Sequence, residues 1–342
     1  MNATTFGLDI AKSVFQVHWV DPSTGEIHRK KLQRAKVSQF FATCAAGSVA
    51  MEACGGAHHW ARVIAALGHE VQLLPARQVR AFVSGNKDDA ADARAIWLAA
   101  QHTDIRRVPI KSCDQQVQQA LHRVRTHWVA VRTATTNALR GLLYEFGIAF
   151  ARGRKLALRE LAAQRAHLEN VLPAGMLRLL DAQLLALRQI DEQIEALECE
   201  IELALRGSEL ATRLHRVPGI GTLGATALAS KLGDARGWRD AREFAACIGL
   251  PPAHSGTGGK TRIGAMSKRG DAYLRTLLIH GARNLAQHPE KSEWISNLLA
   301  RRPFNVVAVA IAHKLARIAW AMAAHGTSYE PRWKPAAAMP GN

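Results

Sequence analysis

Cysteine is scarce and irregular in this chain. Cys44, Cys54, Cys113, Cys199 and Cys247 form no CxxC pair, which excludes a zinc ribbon and a disulfide-stapled scaffold and leaves reduced spectator thiols. Long uncharged apolar runs are missing too. The most hydrophobic late stretch, FNVVAVAIAHKLARIAWAMAA, is broken by His313, Lys314 and Arg317, so no membrane span is expected. The opening MNATTFGLDIA enters a strand-like pattern at once, so neither a secretory signal nor a transit peptide is expected. No internal repeat or long low-complexity tract is visible. Acid is the clearest deficit: 28 Asp+Glu stand against 45 Lys+Arg, a formal net charge of +17. That balance calls for a polyanionic partner, nucleic acid first and a membrane surface second. The expectation is a soluble, cytoplasmic nucleic-acid-binding protein.

At 342 residues the chain has room for two or three domains. TTFGLDIA, VFQVHWVD and GEIHRKKLQ read as three strands, with a hairpin-like turn at 23–25. SQFFATCAA follows as a helix, SVAMEA as a buried strand, HHWARVIAALG as a helix stopped by Gly68, EVQLLPA as a strand and DDAADARAIWLAAQ as a helix. This is a mixed α/β sheet domain, placed at 1–105. From 106 to 209 the pattern is helical. Residues 112–147 read as one long helix or a pair, and 176–205 carry Leu180, Leu184, Leu187, Ile194, Leu197 and Ile201 at three- and four-residue steps. That seam fits a coiled coil for oligomerisation, or packing against the preceding helix. A mainly helical C-terminal domain is placed at 210–325, and a loosely ordered tail at 326–342.

Against so basic a background, the acids in GNKDDAADARAI (85–96) need a reason. Asp9 sits inside an apolar strand, Glu52 ends another, and Asp88, Asp89 and Asp92 open a helix. A lone carboxylate in a buried strand is costly, whereas an Asp cluster at a helix start is often only a cap that complements the dipole. Taken together, three or four carboxylates suit Mg2+ or Mn2+, the ions that phosphodiester chemistry uses. Helix geometry leaves Asp88 and Asp89 equal as partners for Asp92.

Two C-terminal stretches add phosphate chemistry. RVPGIGTLGATALAS (216–230) has the form of a helix-hairpin-helix, with Gly219 and Gly221 in the turn and a helix start facing phosphate. PPAHSGTGGKTRIGAMSKRGDAYLR (251–275) gathers Ser255, Thr257 and Ser267 with Lys260, Arg262, Lys268 and Arg269. A hydroxyl among cations suits a nucleophile attacking a phosphodiester, while a basic loop that only touches phosphate is the plainer alternative. GTGGKT lacks the spacing of a P-loop. Arg125, Arg132 and Arg140 fall on one stripe of the central helix and are candidates for tracking backbone phosphates, though a solvated face also explains them. Trp128 and Tyr144 suit base stacking or a core, and His58 and His59 suit structural or substrate-positioning roles rather than metal ligation.

GLDIAK, MEACGG and KDDAADA, followed by PGIG, GTGGK, SKRGD and YLRTLLIHGAR, resemble the transposases of the insertion sequence 110 family, most closely its eleven-eleven branch. The motifs span residues 6–285 in the family's order. The resemblance implies a RuvC/RNase H-like N-terminal domain with a metal-binding DEDD tetrad. The family pattern Lys-any-Asp-any-any-Asp begins at Lys87, selects Asp89 and Asp92 beside Asp9 and Glu52, and makes Asp88 a silent position. It also implies a serine nucleophile that forms a 5′-phosphoserine link to DNA. Here the loop reads Ser-Gly-Thr-Gly-Gly, with Gly256 and Thr257 opposite the usual serine pair, so Ser255 comes first and Thr257 second. Ser267 then serves as a phosphate-binding hydroxyl. Donor and target DNA, a guide non-coding RNA, and a dimer or tetramer with a composite site are implied as well. The competing readings are a Holliday-junction-type endonuclease using metal-activated water, and a non-catalytic nucleic-acid-binding protein.

Overall fold

The computed structural model describes residues 3–84, 88–150 and 153–330. Lys87 of the aspartate pattern, and the tail beyond 330, lie outside the described residues. The chain divides into two compact units, Met1–Cys113 and Asp114–Asn342. The long helical stretch and the C-terminal part therefore fall within one unit.

The first unit is built on a five-stranded mixed sheet. β1 (Thr5–Asp9), β2 (Val14–Val20) and β3 (Ile27–Gln33) form an antiparallel meander. After α1 (Val37–Thr43) come β4 (Ser48–Glu52), α2 (Ala57–Ala65) and β5 (Glu70–Leu74), and both later strands run parallel to β1. The strand order is β3-β2-β1-β4-β5. A short helix α3 (Ala76–Val79) leads to α4 (Asp89–Ala100).

Alternation sorts the side chains of the central strands to two covered faces. Phe6, Leu8, Val49 and Met51 point into a core with Phe15, Phe41, Trp60 and Ile64, on the side of α1 and α2. Ala50 points the other way, into a smaller cluster with Ala95, Ile96 and Ala99 of α4. Gly7 shares that second face. A Cβ built there would stand 2.3 Å from the Ala93 carbonyl oxygen and 2.7 Å from the Trp97 nitrogen. Glycine is therefore what lets α4 lie against β1 backbone to backbone.

The second unit begins with the 33-residue helix α5 (Cys113–Glu145), then α6 (Arg154–Ala163), α7 (Arg165–Val171) and a second 33-residue helix, α8 (Ala174–Arg206). Leu180, Leu184 and Leu187 of α8 pack in one cluster with Leu139 and Leu143 of α5 and with Leu161 and Leu168. Ion pairs Arg125–Glu198 and Arg132–Asp191 make α5 and α8 antiparallel neighbours. Of the two uses expected for the α8 seam, the structure shows packing against other helices of the chain.

The remaining helices are α9 (Glu209–His215), α10 (Thr222–Leu232), α11 (Ala241–Ile248), α12 (Ala272–Ala286), α13 (Glu293–Leu299) and α14 (Phe304–His325). They share a core in which Val307, Ile311, Leu315 and Ala319 form the inward stripe of α14. That helix is 22 residues long and apolar enough to cross a membrane by length and composition. Its stripe instead supplies much of this core. Between α11 and α12 runs an exposed two-stranded ribbon, β6 (Pro252–Thr257) and β7 (Lys260–Met266), where the sequence suggested only a glycine-rich loop.

Candidate metal centre and nucleic-acid surfaces

Three of the four expected carboxylates come together. One oxygen each from Asp9, Asp89 and Asp92 lies within 4.8 Å of the others. The reason is local. Asp9 is two residues beyond Gly7, on the same face of β1, and α4 crosses that face at Gly7 with Asp89 and Asp92 in its first turn. Glu52 lies outside the 4.8 Å group but on the same face, since Leu8 pairs with Met51 and the strands run parallel.

The electrostatics mark this as an uncompensated cluster. Burial raises Asp9 to about 6, helped by the charges of Asp92, Asp89 and Glu52 in that order, against a lowering hydrogen bond from the Ile10 backbone. Glu52 is raised by burial and then by Asp92. Among the described residues none of the four carboxylates joins an ion pair. Hard oxygen donors without sulfur or imidazole suit a divalent cation such as magnesium or manganese.

Asp88 is not part of this set. Its backbone is extended (φ −142°, ψ 132°), and its side chain accepts a 3.4 Å hydrogen bond from the Ala90 N–H, so it is the N-cap of α4. A cap residue helps set where the helix begins. His58 is structural, accepting a hydrogen bond from the Lys111 N–H at 3.2 Å. His59 is exposed beside Trp60.

In the ribbon, Gly258 (φ 57°) and Gly259 (φ 77°) make the two-residue turn, the left-handed pair that a tight hairpin requires. Ser255 pairs with Arg262, and Thr257 with Lys260. Direct cross-strand partners share a face and residues i, i+2 alternate back to it. Both candidate hydroxyls and both cations therefore occupy one side of the ribbon. Ser267, Lys268 and Arg269 follow at its base. The Ser267 N–H is bonded to the Pro251 carbonyl and the Lys268 N–H to that of Gly249. Lys268 adopts a left-handed φ of 53°.

The turn at 216–221 does join two helices, and Gly221 is exposed at the start of α10. Gly219 has a different role. A Cβ on Gly219 would meet Leu285 at 2.7 Å, and one on Gly281 would meet the Gly219 carbonyl oxygen at 1.8 Å. Gly219 thus packs the turn onto α12.

The arginines of the central-helix stripe have partners within the chain. Arg125 holds Glu198, Arg132 shares Asp191 with Arg154, and Arg140 donates to the Phe150 carbonyl. Arg125 and Arg132 tie α5 to α8, and Arg140 ties the end of α5 to the connection that follows it. Tyr144 is exposed and Trp128 partly so. No sequence pattern pointed to a buried network between α5, α10 and α12, where the His122 ring lies 2.9 Å from the Tyr273 hydroxyl and 3.0 Å from that of Thr226. Thr226 already donates to Thr222, so His122 donates through Nε2 and accepts at Nδ1. Burial holds His122 down to about 4, and hence neutral.

Comparison with known proteins gives two family matches. A DEDD transposase model of the IS110 type covers residues 6–148, and one described as transposase IS116/IS110/IS902 family covers 211–296. A probable family 20 transposase of Pseudomonas aeruginosa is 47% identical, over 97% of this chain and the whole of that protein. The transposase for insertion sequence element IS1328 of Yersinia enterocolitica is 41% identical, over 96% of this chain and 99% of that protein. The transposase for element IS1111A of Coxiella burnetii is 38% identical, over 94% and 90%. Full-length similarity at these levels, with separate family matches in both halves, makes this chain a member of the IS110 family of transposases.

Proposed function

We propose that this transposase cuts and rejoins DNA with a divalent metal held by Asp9, Glu52, Asp89 and Asp92 and with the Ser255 hydroxyl as nucleophile. The observation that carries the reading is the meeting of Asp9, Asp89 and Asp92 within 4.8 Å, with Asp9 raised to about 6 by burial and by its neighbours. Bound there, magnesium or manganese would offset the charge that builds on the phosphoryl oxygens during displacement. Ser255 Oγ attacks phosphorus, the P–O3′ bond breaks, and the hydroxyl proton ends on the released 3′-oxygen. A 5′-phosphoserine holds the bond until a 3′-hydroxyl of the new partner strand displaces the serine. Arg262 and Lys260, on the same side of the ribbon, neutralise the phosphate during attack. Thr257 is the second choice of nucleophile. Gly221 at the start of α10, Ser267, Lys268 and Arg269 bind backbone phosphates.

The partners follow in the same reading: donor and target DNA, with a guide RNA on the strength of the family resemblance. Self-association is supported by α5, where Val117, Leu121, Val124, Trp128, Val131 and Leu142 fall on one heptad stripe. Three of these, Val117, Val124 and Leu142, are 40–59% exposed. A second copy of this chain is the partner proposed for that stripe.

The test is to trap a protein–DNA adduct on a nicked substrate and map the linked residue. The adduct forms with wild type and Thr257→Ala, and is absent with Ser255→Ala. Cutting that persists without an adduct in Ser255→Ala would favour a water-using nuclease. DNA exchange in cells that survives Asp89→Ala with Asp92→Ala would favour a protein that only binds.

A further inference from the structure

The sheet face that carries Asp9 continues beyond it and turns basic. Asp9 pairs with Gln16, and Gln16 with Lys31, so Asp9, Gln16 and Lys31 form one cross-strand row on the side of α4. The row beside it runs Gly7, His18 and Arg29. At ~4.8 Å per strand, Lys31 starts about 10 Å from Asp9 at the backbone.

Independent contacts support the facing. The His18 ring lies 5.6 Å from Trp97 of α4. His18 is lowered first by burial and then by the charges of Arg29 and of Arg94, the latter on α4. Lys30, of opposite parity, sits 5.0 Å over Phe40 on the other face. Arg29, Lys31 and Arg94 are exposed, and none joins an ion pair among the described residues. Lysines on an edge strand often serve only to block edge-to-edge pairing. That purpose requires no particular face, and it does not explain a third cation arriving from a helix.

We propose that Lys31, Arg29 and Arg94 form a phosphate track that holds a DNA backbone as it runs from Asp9 across β2 to the β3 edge. The proposal rests on the reading of Asp9 as the cutting centre. A strand of duplex carries one phosphate per ~3.4 Å of axis, so Lys31 meets a phosphate about three nucleotides from the one at Asp9. Gln16, between them in the row, adds an amide donor. Such contacts fix the register of the strand without reading its bases.

The test uses the full-length protein and a labelled duplex spanning the junction between element end and flank. Phosphate-ethylation interference is read beside the salt dependence of binding. In wild type, ethylation about three nucleotides from the cut weakens binding. Lys31→Ala abolishes that signal, Lys31→Arg keeps it, and Arg206→Ala, an exposed change on α8, leaves it alone. The slope of log K against log salt becomes shallower by about 0.9 for each residue removed, or about 2.7 for the triple alanine variant. An interference pattern unchanged in Lys31→Ala, with unchanged slope, overturns the track. Asp9→Asn reports on the underlying reading separately: it stops cutting and leaves the interference in place. Circular dichroism melting confirms that each variant is folded.

Discussion

Asp9 is a carboxylate placed where its ionised form is disfavoured. Its folded-state pKa of about 6 exceeds the reference 3.8, so the folded state binds the proton more tightly than the unfolded one. The stability from that proton is full below about pH 3.8 and is lost as pH rises through about 6. The metal-free protein is therefore expected to melt lower at pH 8 than at pH 5 on this account. Asp9→Asn should raise the metal-free melting temperature at pH 8 while cancelling the further rise that added magnesium gives wild type. Metal binding requires deprotonated ligands, so that rise should itself shrink toward pH 5. Differential scanning fluorimetry across pH, with and without magnesium, reads all three outcomes. The neighbouring aspartates should separate cleanly. Asp88→Ala should cost about 1 kcal/mol through the lost cap and keep the magnesium response, whereas Asp89→Ala should lose the response.

At the scale of elements, one contact positions the site: α4 on β1 at Gly7. With the Ala93 carbonyl 2.3 Å from a would-be Cβ, Gly7→Ala must lift the helix or bend the strand. The expected cost is about 1–3 kcal/mol. The carboxylates should part as well, so magnesium protection should fall further than stability alone explains. Denaturant melts with and without magnesium check this. Nearly every element of the first unit was legible in the sequence, because strand alternation and helix caps are local signals. The ribbon β6–β7 was not, since its strands are exposed on both faces and carry no alternation. Its glycines resembled a loop until Gly258 and Gly259 proved to be a two-residue turn.

At the scale of the whole chain, the +17 charge invites every arginine to be assigned to nucleic acid. The α5–α8 hairpin shows why that fails: Arg132 and Arg154 converge on one half-buried aspartate, Asp191. Arg132→Ala should cost about 1–2 kcal/mol, between the values for exposed and buried pairs. It should leave the salt slope of DNA binding unchanged, as urea melts and a salt titration can check. The heptad legible in the sequence of α8 is likewise internal packing, and the partly open stripe lies on α5.

Residue identity and order were enough for the family, the carboxylate types and a polyanionic class of partner. Helix spacing alone could not choose between Asp88 and Asp89, because both lie within one turn of Asp92. The tertiary structure supplied the choice physically. Asp88 caps the helix, while Asp89 and Asp92 turn toward Asp9 across a gap that only glycine leaves open. It also decided which arginines are paired within the chain. The ion pairs of Arg154, Arg132 and Arg125 join residues 37, 59 and 73 positions apart in the chain, distances no local pattern records.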